Sequence, residues 1–283
     1  MAATRSWLPD RVRRGLGRAT RPARRRLRTR GSAAWKTGPP DFVGVGAQRC
    51  GTTWWWRLLS DHPQIQPPWA KELHYFDAYF ERPFSDADIK AYHELFPRPA
   101  GSMTGEWTPR YMYDFWTPEL LCRAAPDARI LTLLRDPVAR YQSGVSHELD
   151  RFRRGVRRGP RRQHAGTMIA NDALARSLYG RQLAALYGQF DPARVLVLQY
   201  ERCVADPRAE LRRTYEFLGL EDPDYVPQAL TRRSSWSHPQ VRPPDTVTEI
   251  ALRLIAEDVL ELKALVPELD LGLWPSCRDG NGR

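Results

Sequence analysis

A chain of 283 residues, 42% of them hydrophobic, can bury one large core or two small ones, and its longest apolar runs are strand-length. Those runs fall well short of the roughly 20 residues a membrane span requires, so the sequence excludes a transmembrane protein and reads as soluble. The formal charge of +11 lies wholly in residues 1–36, where eleven Arg and Lys36 face Asp10; the neutral body disfavours nucleic acid as its partner.

Taken in chain order, residues 1–36 read as a basic, disordered arm, because like charges repel and few apolar residues offset the entropy of ordering. The arm lacks the apolar stretch of a secretory signal and suits weak peripheral contact with anionic surfaces. Residues 37–283 then form the expected catalytic domain. "DFVGVG" reads as a buried strand entering a glycine turn, and "TTWWWRLLSDH" as a helix that Pro63 stops. "KELHYFDAYF" is expected to be extended. "SDADIKAYHELF" opens with Ser85 three residues before Asp88, a capping box for a helix.

"ARILTLLRD" is a second buried strand, after which Asp136 caps a helix with Pro137 as its first residue. Residues 151–166, rich in Arg, read as a surface loop, and one helix is expected from about Asn171 to Tyr187. "RVLVLQY" is a third strand, followed by helices near Pro207–Leu218 and Val247–Leu265. Strands alternating with helices predict an α/β fold, a three-layer sandwich with a central parallel sheet, with ligands at the carboxyl ends of its strands. Cys50, Cys122, Cys203 and Cys277 stand far apart without a CxxC pair, which suggests neither zinc nor disulfides and fits a reducing cytoplasm. The predominance of Arg over Lys hints at a bacterial source.

The chemistry starts at "VGVGAQRCGTTWWW". Gly46, Gly51 and Thr53 keep the spacing of a phosphate-binding loop, but Thr52 occupies the lysine position. Backbone N–H groups and the positive end of a helix dipole still suit an anion there. ATP hydrolysis, which uses that lysine, is not indicated. Arg49 offers a cation three positions earlier. Further on, Arg135 ends a strand and Ser143 follows in the next helix; six helical residues rise only about 9 Å, so both can address one cleft and hold a second phosphate.

With these two motifs on the page, the chain resembles the sulfotransferases that use 3′-phosphoadenosine 5′-phosphosulfate (PAPS), with a phosphate-loop nucleotide-binding fold. "QRCGTTWW" is similar to their 5′-phosphosulfate loop and "LLRDPVARYQSGV" to their 3′-phosphate motif. "KELHYFD", "GEWTPRYM" and "VLVLQYERCVADPRAELRRTYEFLGL" resemble segments of the carbohydrate-type branch and its bacterial relatives, so that the likeness runs from about Asp41 to Trp274. It implies PAPS as co-substrate, PAP as product, and no metal. Arg49, Cys50, Gly51, Thr52 and Thr53 would hold the 5′-phosphate, Trp54 would stack on adenine, and Arg135 and Ser143 would hold the 3′-phosphate under a loop carrying Arg232 and Arg233. Arg49 replaces a lysine of many members and can stabilise charge but not give up its proton. Glu72 matches the base that deprotonates the acceptor hydroxyl, with His74 as the alternative, and the nearby PAPS anions are expected to raise its pKa. Trp107 departs from a lysine common in carbohydrate members.

The implied activity is sulfuryl transfer to a hydroxyl, or an amine, of a carbohydrate or small molecule. Two other readings compete: an ATP-dependent kinase, and a non-enzymatic protein that binds nucleic acid or membrane surfaces through the arm.

Overall fold

The computed structural model describes residues 34–155, 162–230 and 244–278. Most of the basic arm, and Arg232 and Arg233, therefore lie outside the described residues. The arm's last three residues do not: Trp35–Lys36 (β1) pairs antiparallel with Arg98–Pro99 (β3), and Ala34 accepts a hydrogen bond from the Ala100 N–H.

Four parallel strands form the central sheet in the order β4-β2-β5-β6: Gly105–Trp107, Phe42–Gly46, Arg129–Leu134 and Val195–Gln199. Val43 stands beside Ile130 and Leu131 beside Leu196. β2 is buried throughout, as expected for a strand covered on both faces. Gly44 is required there, because a Cβ would come within 2.1 Å of the Trp107 ring that lies across it. From β2 the sheet grows toward β4 on one side and toward β5 and β6 on the other, so the order reverses there, a common location for ligand crevices.

Helices follow the strand ends. β2 leads to α1 (Thr52–Ser60), and α2 (Asp86–His93) and α3 (Thr117–Ala124) flank β4 in the chain. β5 leads to α4 (Pro137–Gly155), then α5 (Arg162–Ala175) and α6 (Tyr179–Tyr187). After β6 come α7 (Tyr200–Ala205), α8 (Pro207–Leu218), α9 (Asp245–Leu265) and α10 (Pro275–Arg278). The capping box forms as expected, Asp88 accepting from the Ser85 N–H at 2.9 Å.

Three local expectations are overturned. "KELHYFDAYF" is not extended: Tyr75–Phe80 is a 3₁₀ turn whose Tyr75, Phe76 and Tyr79 pack into the core beside Tyr92 and Tyr111. Its aromatic pairs lack the alternation a strand requires. The Arg-rich stretch is helical up to Gly155 and again from Arg162. The single helix near 171–187 is two, because the buried Asp258 carboxylate takes the Gly180 and Arg181 N–H groups at 2.7 and 3.2 Å. A continuous helix would have sent those groups back to residues 176 and 177.

Candidate active site

The turn between β2 and α1 places Arg49 at φ 72° and Gly51 at φ 87°. Gly51 is needed twice, for its left-handed backbone and because a Cβ would come within 2.7 Å of the Tyr200 ring. Gly51 begins α1 without a side-chain cap. The first N–H groups of the helix thus point along its axis without intrahelical acceptors, in the way that suits an anion.

β5 delivers the second motif to the same place. Arg49 Nε donates to Ser143 Oγ at 3.1 Å, joining the glycine turn to α4 across 94 residues. The fully buried Arg140 adds a second tie, donating from Nε to the Gln48 carbonyl at 3.0 Å. Burial, and then the nearby Arg135 cation, lowers the Arg49 pKa. Arg135 itself lies over the Tyr200 ring, 5.5 Å from its centre. Two guanidiniums of like charge stay charged at any ordinary pH, so their proximity favours an anion between or beside them.

The turn carrying Arg135 is fastened from below. Asp136 caps α4, its Oδ1 accepting from the Val138 and Ala139 N–H groups at 2.9 and 3.0 Å. Ser276 donates to the same carboxylate from its N–H and its hydroxyl, both at 3.0 Å. Glu201 completes the clasp: Oε1 accepts from the Asp136 N–H at 3.0 Å and Oε2 from Trp274 Nε1 at 2.9 Å.

Beside β4 the arrangement is different. Glu106 is fully buried and accepts hydrogen bonds from Tyr92 and Thr108 at 2.7 Å and Tyr111 at 3.2 Å; burial raises its pKa. The Tyr111 hydroxyl also accepts from the Tyr75 N–H at 2.9 Å, and Thr108 Oγ1 from the His74 N–H at 3.4 Å, so this hub fixes the segment bearing Glu72 and His74. The Thr108 and Met112 N–H groups in turn bond to the Gly44 and Val45 carbonyls, holding that segment against the end of β2.

On this hub, Glu72 and Lys71 pair at 2.5 Å, Glu72 and His74 Nε2 stand 3.7 Å apart, and His74 Nδ1 lies 3.0 Å from Asp77 Oδ2. His74 is the largest influence holding the Glu72 carboxyl down to about 2, assisted by Lys71. Asp77 first, then Glu72, raises His74 to about 9. Without a bound anion, these two cationic neighbours outweigh burial. His74 is an imidazolium at neutral pH and has no lone pair with which to take a proton.

Comparison with known proteins bears directly on this geometry. Residues 108–224 match the profile of the Sulfotransferase family. Heparan sulfate glucosamine 3-O-sulfotransferase 6 of Homo sapiens is 29% identical over 219 residues, 73% of this chain and 56% of that protein. Heparan sulfate glucosamine 3-O-sulfotransferase 3B1 of Mus musculus is 29% identical over 188 residues, 64% of this chain and 46% of that one. The crystal structure of a sulfotransferase from Alicyclobacillus acidocaldarius superposes with a TM-score of 0.62 at 28% identity, over 83% of this chain and 98% of that chain.

The chain is similar to sulfotransferases over 73% of its length. It spans about half the length of the curated relatives it matches.

In the structure Arg49, on the turn that leads to Gly51, Thr52 and Thr53, is bonded to Ser143 with Arg135 nearby, and Glu72 and His74 stand together on the segment held against the end of β2. Cys50 does not turn its thiol to that cleft: the sulfur is buried 3.3 Å from the Tyr179 hydroxyl, and burial pushes its pKa up to about 11. Trp54 is also buried, its indole N–H bonded to the Leu230 carbonyl at 3.3 Å and its ring edge-on to Tyr200. Trp107, at the position of the expected lysine, is wholly enclosed and donates to the Gly46 carbonyl at 3.1 Å, so it takes no part in an acceptor pocket.

Sequence reasoning missed Tyr200, Glu201 and Asp77. Tyr200 and Glu201 follow the third strand, a position the carboxyl-end rule points to. Asp77 follows His74 by three residues, a spacing that matters only once the segment is known to be a 3₁₀ turn.

Proposed function

We propose that this protein transfers a sulfuryl group from PAPS to a hydroxyl, or an amine, of a carbohydrate or small-molecule acceptor. The Arg49–Ser143 hydrogen bond carries the reading, because it joins two separate anion-binding motifs into one cleft with Arg135 at its edge. Such a cleft fits a nucleotide with phosphates at both ends of its ribose better than it fits ATP, whose lysine is replaced by Thr52. The catalytic unit is residues 37–283, supplemented by the short pairing of Trp35–Lys36.

The donor brings the sulfuryl group on its 5′-phosphate. The N–H groups of Gly51, Thr52 and Thr53 receive that phosphate, Arg135 and Ser143 the 3′-phosphate, and Trp54 and Tyr200 wall the adenine. Arg49 stabilises the negative charge that develops on the bridging oxygen. Glu72 remains ionised at neutral pH and accepts the acceptor hydroxyl's hydrogen bond and then its proton. A bound polyanion nearby raises the carboxyl from its low starting value and makes it a stronger base. Imidazolium His74, held by Asp77, orients Glu72.

Among the described residues no helix is long and apolar enough to cross a membrane, and the four cysteines are unpaired. The free thiols support a reducing, cytoplasmic setting.

Calorimetric titration with PAP tests the donor assignment. A saturable isotherm is expected, weakened about 100-fold by Arg135→Ala through loss of charged hydrogen bonds. Absence of binding, or an unchanged isotherm in the variant, overturns it.

A further inference from the structure

The segment that bears the proposed base has an uncommon backbone. Glu72 at φ 63° and His74 at φ 54° both lie in the left-handed region, which residues other than glycine seldom enter. A glutamate there lacks the short side chain that lets Asn or Asp support this backbone locally, so neighbouring structure must hold it. In this conformation Glu72 and His74 Nε2 stand 3.7 Å apart. The hold comes from three successive amides. The Leu73 N–H bonds to the Glu106 carboxylate, the His74 N–H to Thr108 Oγ1 at 3.4 Å and the Tyr75 N–H to the Tyr111 hydroxyl at 2.9 Å. All three lead to Glu106, because Thr108 and Tyr111 donate their hydroxyl protons to it at 2.7 and 3.2 Å.

A carboxylate offers only lone pairs, so each of the two hydroxyls directs its single proton to Glu106 and turns a lone pair to the segment. Glu106 thereby sets the polarity of the whole array. It is fully buried and stands beside Val43 where β4 pairs with β2. The residues after it are fastened to the same strand: Trp107 Nε1 donates to the Gly46 carbonyl at 3.1 Å and the Thr108 N–H to the Gly44 carbonyl at 2.9 Å. One side chain therefore joins the segment bearing Glu72 to the strand that runs into the turn of Arg49 and Gly51. Tyr92 marks the contrast, because it donates to the same carboxylate at 2.7 Å but takes none of the three amides.

We infer that Glu106 is a positioning residue for sulfuryl transfer: through Leu73, Thr108 and Tyr111 it holds Glu72 and His74 in the left-handed backbone that brings the two side chains together. The inference rests on the proposed reaction with Glu72 as its base, and adds to it a buried group that acts through the backbone alone.

Glu106→Gln keeps the shape but sets an NH₂ group against one of its donors, and Thr108→Val removes the acceptor of the His74 N–H. Tyr92→Phe removes a hydrogen bond to the same carboxylate without touching the three amides, and is the control. In each, His74 is titrated by NMR, PAP binding is read by calorimetry, and kcat is measured for transfer of labelled sulfate from PAPS to heparan sulfate fragments as the probe acceptor. In Glu106→Gln and Thr108→Val, kcat is expected to fall about tenfold with PAP affinity within about twofold of wild type. His74 is expected to titrate about one pH unit below its wild-type value of about 9, because Glu72 no longer stays beside it. Tyr92→Phe is expected to lower Tm, with kcat within about twofold and the His74 titration unchanged. A His74 titration that stays at its wild-type value in both variants, PAP affinity that falls in step with kcat, or an equal effect of Tyr92→Phe overturns the inference. Should Glu106→Gln not fold, Thr108→Val decides. Absence of PAP binding or of transfer by wild type strikes the proposed reaction instead, and the His74 titration still judges the positioning.

Discussion

On the proposed donor side, an anion would meet backbone N–H groups and two neighbouring guanidiniums, Arg49 and Arg135, which repel each other. On the acceptor side, Lys71, His74, Arg110 and Arg176 each already face a carboxylate. The first region is electrostatically incomplete until a ligand arrives, and the second is complete without one. On the proposed reading, affinity for a charged nucleotide resides in the first region and orientation of a proton acceptor in the second.

The sharpest test of that division is Glu72→Gln. It keeps the shape but removes the proton acceptor, so turnover should fall by roughly two or more orders of magnitude while PAP affinity stays within about twofold. Steady-state kinetics alongside calorimetry reads both. An equal loss of nucleotide affinity would dissolve the distinction between the two halves.

A smaller effect is expected on the donor side from Glu201→Gln. The amide has one oxygen for two N–H donors, those of Asp136 and Trp274, and sets its own NH₂ against one of them. PAP affinity should fall about tenfold, the cost of one unsatisfied buried group. The proof that this acts through Arg135 is a near-unchanged affinity for adenosine 5′-phosphosulfate, which lacks the 3′-phosphate.

Acidity separates the halves more gently. His74 is raised from 6.5 to about 9 in the folded protein, so its contribution to stability is full below pH 6.5 and is lost as pH rises through 9. Glu72 is lowered from 4.5 to about 2, so its contribution is present above pH 4.5 and is lost as pH falls through 2. The Tm difference between wild type and His74→Ala should be largest near pH 6 and shrink toward pH 9.5. A difference independent of pH would show that the ion pairs to Glu72 and Asp77 contribute nothing.

Least of all should follow from Cys50→Ala. Although Cys50 lies in the glycine turn, its thiol faces Tyr179, so PAP affinity is expected to be unaltered while Tm drops slightly. A marked loss of affinity would place the side chain in the cleft after all.

The same contrast explains what the sequence disclosed. The glycine spacing and the Asp136 cap are local patterns with fixed geometric meanings, and the structure realises both. Asp77 escaped notice because its relation to His74 depends on a 3₁₀ turn that the aromatic run conceals. β4, only three residues long, is too short to declare itself by alternation, and with it went the burial of Trp107 and the Glu106 hub. Contacts such as Ser276 with Asp136 join residues 140 apart, and no local pattern announces them.

That last contact also orders events in time. The glycine turn, β5 and α4 leave the ribosome well before Trp274 and Ser276, the residues that lock the Arg135 loop in place. A growing polypeptide can therefore assemble its sheet before Trp274 and Ser276 emerge and still lack the ties that fix the Arg135 loop.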